Sequence, residues 1–256
     1  MRIIISPAKK MNEDRDSFPC RSVPAFLTQT EELLETLRAL SPQELQSLWN
    51  CNDKIAALNL ERLRCMNLHG SLTPAILSYE GIQYRYMAPG VLTDEGLDYL
   101  QEHLRILSGF YGVLRPFDGV TSYRLEMQAK LKVREAKDLY SYWGKRIAAH
   151  IFEETDCILN LASKEYSLCV SKYLPHHIRF ITCRFVEYAN GKLAEKGTFC
   201  KMARGEMVRY LAETGAQQPE DAKRFNRMDY RFSPEDSDET TYVFIREPQK
   251  DGKAEF

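Results

Sequence analysis

The amino-acid sequence predicts a single mixed α+β domain in which central β-strands are wrapped by helices. Apolar residues recur with helical spacing in some segments and form short continuous or alternating runs in others, so both kinds of element are expected. The 256 residues contain no internal repeat and no low-complexity linker, and this length suits one large domain. We expect the domain to cover residues 1–246, with a polar tail over residues 247–256.

The first third of the chain is expected to be one strand followed mainly by helices. The apolar run at residues 2–5 predicts a strand, and the polar, proline-containing segment 11–23 predicts a surface loop. Ser41-Pro42-Gln43-Glu44 has the pattern of a capping box with proline at the first helical position. Helices are expected over residues 25–40, 42–49, 52–63 and 74–79, and an extended or loop segment over 81–87.

A predicted helix that runs into two closely spaced glycines is the most informative segment in the middle of the chain. Leucines at spacings of three and four mark one buried face as far as Leu107, so we expect a helix over residues 94–108. Gly109 and Gly112 follow, as in the first half of a helix-hairpin-helix element, where glycine N–H groups can bind a phosphate. We expect Arg115 near that phosphate. The same residues also fit a C-capping glycine followed by a buried strand.

The second half of the chain predicts strands and helices in alternation. Asp138 can cap a helix that continues to Phe152, and the continuous apolar run 157–161 predicts a buried strand. Asn190-Gly191 is a hairpin signal between two strands. The remaining expected elements are strands over 178–188, 193–199, 230–232 and 242–245, and helices over 201–213 and 219–225.

The formal net charge is −1, but the charges are unevenly distributed. Eight basic residues accompany four acidic ones between residues 115 and 146, and eight accompany five between residues 196 and 231. Beyond Phe232 the balance reverses, with seven acidic residues against three basic ones. Local basic surface on a nearly neutral chain is compatible with an anionic ligand in a cleft, and also with ordinary solvated faces.

Cysteine and histidine usage argues against a disulfide framework and against a metal site. The seven cysteines form no Cys-X-X-Cys pair, which favours reduced thiols in a cytoplasmic protein. His176 and His177 are adjacent and lack a partner at helical ligand spacing, so we expect no metal and no cofactor. No apolar run approaches the roughly 18 residues of a membrane-spanning helix, so neither a membrane partner nor a secretory signal is expected.

Several polar side chains lie near the ends of predicted strands, where binding sites collect in α/β sheets. Each has a structural alternative: Asn160 can bond neighbouring backbone, and Arg124 with Glu126 can form a structural ion pair. Together they predict a basic, hydroxyl-lined cleft, because lysine and arginine satisfy phosphate oxygens. The expected cleft residues are Ser6, Lys9, Arg124, Glu126, Asn160, Ser163, Glu165, Tyr166, Lys201 and Arg204.

A series of short motifs in a fixed order extends this prediction to a family. They are Ser6-Pro7-Ala8-Lys9, the stretch from Leu104 to Pro116, Tyr123-Arg124-Leu125-Glu126-Met127, Tyr142-Trp143-Gly144, Asn160-Leu161-Ala162-Ser163 with Glu165-Tyr166, and Lys201 with Ala203-Arg204-Gly205. From residue 1 to about residue 246 the sequence closely resembles the peroxide stress protein YaaA family. One departure is Met202, where the family commonly has a second lysine.

The resemblance implies a single-domain α+β fold peculiar to the family, with a positively charged cleft and a helix-hairpin-helix element. It also implies binding of duplex and branched DNA, a role in surviving hydrogen peroxide, and an association with limiting free iron and with DNA repair. The residues expected to contact DNA are Lys9, Gly109, Gly112, Arg115, Arg124, Lys201 and Arg204.

A second hypothesis is an enzyme that acts on a nucleotide, a nucleoside or a damaged base. Its catalytic candidates are Glu126, Glu165 and Ser6. Carboxylates are costly beside phosphate unless they orient a cation or perform acid–base chemistry. An iron-binding protein is the least supported hypothesis, because no ligand spacing favours it.

Overall fold

Strands and helices are interleaved along residues 1–189 and 191–247, the part of the chain that the computed structural model describes. The strands are β1 (Arg2–Ile5), β2 (Lys10–Met11), β3 (Thr73–Pro74), β4 (Tyr79–Glu80), β5 (Leu104–Ser108), β6 (Gly112–Leu114), β7 (Gly119–Val120), β8 (Cys157–Asn160), β9 (Arg179–Ala189), β10 (Lys192–Ala194), β11 (Tyr230–Phe232) and β12 (Thr241–Arg246). The α-helices are α1 (Leu27–Arg38), α2 (Pro42–Trp49), α3 (Asp53–Cys65), α4 (Ala75–Ser78), α5 (Ile82–Met87), α6 (Asp94–His103), α7 (Leu139–Trp143), α8 (Arg146–Glu154), α9 (Lys164–Ser171) and α10 (Gly197–Thr214). Two 3-10 helices span Pro89–Val91 and Pro219–Arg224.

A mixed sheet organises these elements. Its strand order is β11-β12-β9-β8-β1-β5-β6, and β10 pairs with β9. Strand β1 is parallel to both β5 and β8, with Ile4 opposite Arg105 and Asn160. The β5–β6, β9–β10 and β11–β12 pairs are antiparallel. Because β1 and β8 are parallel neighbours, the segments that leave their carboxyl ends emerge at the same edge of the sheet.

The centre of the sheet is covered on both faces, which explains its composition. Ile3, Ile4 and Ile5 of β1 are fully buried, as are the inner residues of β8. Parallel strands buried on both faces are continuously apolar, as their sequences predicted. The predicted single mixed α and β domain with a central sheet flanked by helices is therefore confirmed.

The helix predicted over residues 94–108 is only partly correct. Helix α6 begins after Thr93, whose Oγ1 accepts a hydrogen bond from the Gly96 N–H at 3.3 Å, but it ends at His103. The next five residues form β5, and every one of them is buried. A strand buried on both faces has no alternating pattern, so its leucines at positions 104 and 107 continued the helical spacing by coincidence.

The glycine turn after β5 is correspondingly a β-turn region and not the hairpin of a helix-hairpin-helix element. Strands β5 and β6 pair in antiparallel register, with Ser108 opposite Gly112. The helix-hairpin-helix prediction for this turn was therefore wrong, because a strand lies on each side of it. The alternative interpretation, in which a buried strand follows the glycine, describes Gly112–Leu114.

Other differences are local. Residues 82–87 form helix α5, and the helix predicted from Asp138 to Phe152 is divided at Gly144 into α7 and α8. Helix α9 was not predicted. Strand β10 ends at Ala194, and α10 begins earlier than expected, at Gly197. Asn190 of the predicted hairpin turn and residues 248–256 of the predicted tail lie outside the described residues.

Candidate functional site

A cavity of about 480 Å³ lies at the edge of the sheet where β1 and β8 end. Its lining comes from the loop after β1, helix α5, the segment 123–126, the start of α9 and helix α10. All the predicted cleft residues except Asn160 line this single cavity: Ser6, Lys9, Arg124, Glu126, Ser163, Glu165, Tyr166, Lys201 and Arg204.

Hydrogen bonds between Ser6 and Ser163 join two walls of the cavity. The Ser163 N–H donates to Ser6 Oγ at 2.8 Å, and Ser6 Oγ donates to Ser163 Oγ at 3.1 Å. The Tyr84 hydroxyl donates to the Ser6 carbonyl oxygen at 2.9 Å and attaches helix α5 to the same point. These contacts give both serines a structural role. In the part of the chain that the structure describes, the hydroxyl of Ser6 has no hydrogen bond to a general base that would activate it as a nucleophile.

Glu126 is paired with two basic side chains of the cavity. Lys9 Nζ lies 2.8 Å from Glu126 Oε2, and Arg124 Nη2 lies 3.7 Å from Glu126 Oε1. Arg124 Nη2 also donates to the Trp49 carbonyl oxygen at 3.3 Å. The structural ion pair considered for Arg124 and Glu126 is thus present. Lys9 is 65% exposed, so it remains accessible to a ligand, whereas Arg124 is largely fixed by its partners.

Glu165 lies in the same cavity with its ionisation disfavoured. Burial raises the pKa of its carboxyl, and the negative charge of Glu126 adds to that effect. The Gln128 N–H, which donates to Glu165 Oε1 at 3.3 Å, and the charge of Lys9 oppose the rise without cancelling it. A carboxyl with a raised pKa can donate a proton or a hydrogen bond closer to neutral pH than an ordinary glutamate can.

Lys201 and Arg204 contribute the least compensated positive charge of the cavity. The ion pairs of α10 and the residue before it use Lys196, Glu206, Arg209 and Glu213. Within the described residues neither Lys201 nor Arg204 has an ion-pair partner, and the buried Nε of Arg204 has no hydrogen-bond partner. A half-buried guanidinium in this condition favours an anionic ligand, for which its planar fork is suited.

A close contact between two helices fixes this basic pair in place. A Cβ atom on Gly205 would lie only 2.1 Å from the carbonyl oxygen of Gln83, so no larger residue fits between α10 and α5. Gln83 lines the cavity as well, and its buried Nε2 has no hydrogen-bond partner within residues 1–189 and 191–247.

The two glycines predicted to bind phosphate are buried and do not line this cavity, and this is a correction. A Cβ atom on Gly109 would lie 2.6 Å from the Leu125 carbonyl oxygen, and Gly112, at φ +75°, packs against Trp143. The N–H groups of the two intervening residues donate to Ser108 Oγ at 3.2 and 2.9 Å. The turn therefore has no accessible N–H array for a phosphate, and its glycines serve packing.

Arg115 and Asn160 also lie outside the cavity. Arg115 is half exposed beside a separate cavity of about 170 Å³, with Nη2 at 3.6 Å from Glu154 Oε1. Asn160 Nδ2 donates to Thr182 Oγ1 at 3.2 Å, and its Oδ1 accepts from the Ala162 N–H at 2.9 Å. The structural alternative for Asn160 is thus the observed one.

Sequence reasoning missed several residues of the cavity wall. Gln83 and Tyr84 lie in the aromatic-rich segment that was interpreted as extended or loop, and Tyr123 was noted only as a neighbour of Arg124. The clustering of tyrosines in that segment was the available signal. It had no helical period long enough to be recognised, because α5 has only six residues.

Within residues 1–189 and 191–247, no group of three or more histidine, cysteine, aspartate or glutamate side chains is arranged to hold a metal ion. The helices of this part of the chain include none with the length and apolar character needed to cross a membrane.

The fold and cavity define a class of protein: a single α/β domain with a basic, polar cavity at the carboxyl ends of neighbouring parallel strands. The chain belongs to the peroxide stress protein YaaA family, whose family model matches residues 1–236. It is similar to a UPF0246 protein of Lachnoclostridium phytofermentans, with 54% identity over 246 residues that cover 96% of each chain. UPF0246 proteins of Agathobacter rectalis and Desulfitobacterium hafniense are 50% and 51% identical over 96% of this chain and 99% and 98% of theirs. The predicted family membership is confirmed.

Proposed function

We propose that this protein binds duplex and branched DNA in the cytoplasm during the response to hydrogen peroxide, and that the basic cavity holds the phosphates. The observation that supports this proposal best is the pair Lys201 and Arg204, which face the cavity without ion-pair partners among the described residues. Lys9 is exposed at the same opening. Phosphate oxygens are the acceptors that such a set of cations recognises.

The protein is expected to hold phosphates with little preference for base sequence. Phosphate contacts carry no direct sequence information, and binding through them releases counterions, so the affinity falls as the salt concentration rises. The protein would protect DNA from oxidative damage either by covering it or by being recruited to damaged sites. An effect on free iron would be indirect, because no metal-ligand group is present in the described residues.

Fluorescence anisotropy with two duplexes of unrelated sequence, measured across a salt series, tests this proposal. Arg204→Ala should weaken binding to both duplexes alike and reduce the slope of log affinity against log salt by about 1. Arg64→Ala is the matched control, since Arg64 is exposed on α3 and does not line the cavity. The absence of binding, or a flat response to salt, would contradict the proposal.

A second candidate function is catalysis on nucleotides, nucleosides or damaged bases, and the state of Glu165 favours it. This carboxyl has a raised pKa and lies in the same cavity as the Glu126–Lys9 ion pair. Two carboxylates in different environments are a common arrangement for acid–base catalysis. Chromatographic assays on nucleosides, nucleotides and lesion-bearing DNA should then find a product whose rate of formation falls about 100-fold or more in Glu165→Gln. No product from any of these substrates would eliminate this candidate.

A further inference from the structure

The cavity has an aromatic wall that phosphate binding alone does not explain. Tyr84, Tyr123 and Tyr166 line it, and each is less than 9% exposed. The Tyr84 hydroxyl is bonded to the Ser6 carbonyl oxygen, and the Tyr123 hydroxyl lies 2.8 Å from the Tyr79 hydroxyl and 2.6 Å from Ser108 Oγ. Because the hydroxyls of Tyr84 and Tyr123 are hydrogen-bonded within the protein, their rings present mainly carbon surface to the cavity. Such a surface is suited to a flat aromatic ligand.

The size and depth of the cavity also restrict what can enter it. A volume of about 480 Å³ is in the range of pockets that take one small molecule. An intact duplex presents phosphates on the outside of a wide rod, so it can contact Lys9 and Lys201 at the opening but not the tyrosine wall. Gln83 belongs to that inner lining and is 8% exposed, and its buried amide nitrogen has no hydrogen-bond partner among the described residues.

A second depression continues from the cavity and has the features of a path for a nucleic-acid strand. It measures about 900 Å³ and shares Lys9 and Glu126 with the cavity, so their ion pair lies at the junction of the two. Trp49 lies in its wall but is only 4% exposed, and its buried Nε1 has no hydrogen-bond partner among the residues that the structure describes. The exposed Lys130 and Lys132 lie along the depression. Basic side chains along a groove are typical of surfaces that follow the backbone of single-stranded DNA.

We propose that the cavity receives one unpaired nucleotide of a DNA strand, with its base against the tyrosine wall and the flanking strand in the Trp49 depression. The phosphate of that nucleotide lies on Lys201 and Arg204. This inference rests on the proposed DNA binding and deepens it, because it makes DNA that contains an unpaired or extruded nucleotide the preferred ligand. Unpaired nucleotides enter such a pocket more readily than paired ones, because no base pair must be broken and less stacking energy is lost.

The test compares a matched duplex with the same duplex that carries one bulged 2-aminopurine nucleotide. Anisotropy should give an affinity about tenfold higher for the bulged DNA, and the 2-aminopurine emission should change on binding only when that base is unpaired. Gln83→Leu should reduce the preference for the bulged DNA over the matched duplex about fivefold. Free dAMP should compete with the bulged DNA better than orthophosphate does.

A separate variant and control test the role of the Trp49 depression. The double variant Lys130→Ala with Lys132→Ala should weaken binding of the bulged DNA severalfold but leave dAMP binding unchanged, because dAMP has no flanking strand. Lys54→Ala is the control, since Lys54 is exposed on α3 and lines neither depression nor cavity. Circular dichroism melting of each variant verifies that it is folded.

The outcomes separate this inference from the function on which it rests. Equal affinities for matched and bulged DNA, with unchanged 2-aminopurine emission, would overturn the unpaired-nucleotide inference and leave DNA binding intact. Binding to neither DNA would overturn both. Competition by orthophosphate equal to that by dAMP would mean that the cavity recognises only the anion, and it would also overturn the inference.

Discussion

Glu165 is the side chain whose charge should tune ligand affinity. The groups that face it are Glu126, Lys9, Tyr140 and Tyr166. Since burial raises the pKa of Glu165, lowering the pH through that raised value removes a negative charge from the cavity before ordinary carboxylates are protonated. DNA affinity should therefore increase as the pH falls, by about three- to tenfold for one charge near a phosphate.

The variant Glu165→Gln gives the control for this pH dependence. Anisotropy at fixed salt should give the variant the same DNA affinity at every pH, because glutamine has no charge to lose. That affinity should equal the affinity of the unsubstituted protein at low pH. No histidine lines the cavity, so histidine titration does not produce the same profile there. An unaltered pH dependence in the variant would contradict the prediction.

A substitution at Gly109 distinguishes a packing role for this glycine from a ligand-binding role. A Cβ atom at this position would meet the Leu125 carbonyl oxygen at 2.6 Å, which lies in backbone that cannot move cheaply. Gly109→Ala should lower the free energy of unfolding by about 1–3 kcal/mol in urea titrations. Gly90→Ala, where nothing lies within 4 Å of the added Cβ, should change it little. The folded fraction of Gly109→Ala should retain its DNA affinity, contrary to the original expectation for this turn.

At the scale of elements, Glu154 of α8 ties together two strands of the sheet. Its Oε2 accepts from Arg2 Nε of β1 at 2.9 Å and from Arg105 Nε of β5 at 2.7 Å. Burial opposes its ionisation, but these hydrogen bonds and charges outweigh burial and lower the pKa of Glu154. The Arg105 side chain is only 3% exposed, and the Glu154 carboxylate compensates its charge.

Glu154→Gln should therefore be strongly destabilising, by about 3–5 kcal/mol, since it leaves a buried guanidinium without its counter-charge. Arg115→Ala serves as the comparison, because Arg115 is half exposed and 3.6 Å from Glu154, and its loss should cost about 1 kcal/mol or less. Thermal and urea unfolding of the two variants would reveal whether the predicted difference exists. Similar losses in both would contradict the buried-network interpretation.

Elements whose sequence signal is local were predictable, and those defined by distant contacts were not. The capping box at Ser41 and the strand Arg2–Ile5 follow from adjacent residues. The change from helix to strand at Leu104 does not, because β5 is a strand only through its pairing with β1 and β6. The part of the cavity built from the ends of β1 and β8 was predictable, since parallel neighbours end at one edge. The approach of α5 was not, since it depends on packing against Gly205.

At the scale of the whole molecule, the buried His103 predicts a loss of stability in mild acid. Its Nδ1 lies 3.0 Å from the Met1 carbonyl oxygen, and its ring stacks on Tyr99 at 4.3 Å between centroids. Burial lowers the pKa of His103, so the folded protein keeps it neutral while the unfolded chain takes up a proton near the ordinary value of about 6.5. The unfolded state then binds more protons, and the free energy of unfolding falls as the pH drops below that value and levels off below the folded pKa.

Urea unfolding at neutral and mildly acidic pH checks this prediction, with His103→Gln as the variant. The variant should lose the part of the pH dependence that lies just below the ordinary histidine pKa. The lowered pKa of Glu154 adds a second loss at more acidic pH, as the pH falls from the ordinary glutamate value through the folded one. If the free energy of unfolding depended on pH in the same way in the variant and in the unsubstituted protein, the loss of stability just below the ordinary histidine pKa would come from a group other than His103.

The contact between Gly205 and the Gln83 carbonyl oxygen has a consequence for how this site can change through mutation. A side chain at position 205 would push α10 away from α5, and with it Lys201 and Arg204 from Gln83 and Tyr84. A single substitution at position 205 should therefore disturb both walls of the cavity at once. Substitutions at the open side, where Lys9, Lys130 and Lys132 are exposed, should change ligand preference without altering the spacing between Arg204 and the aromatic wall.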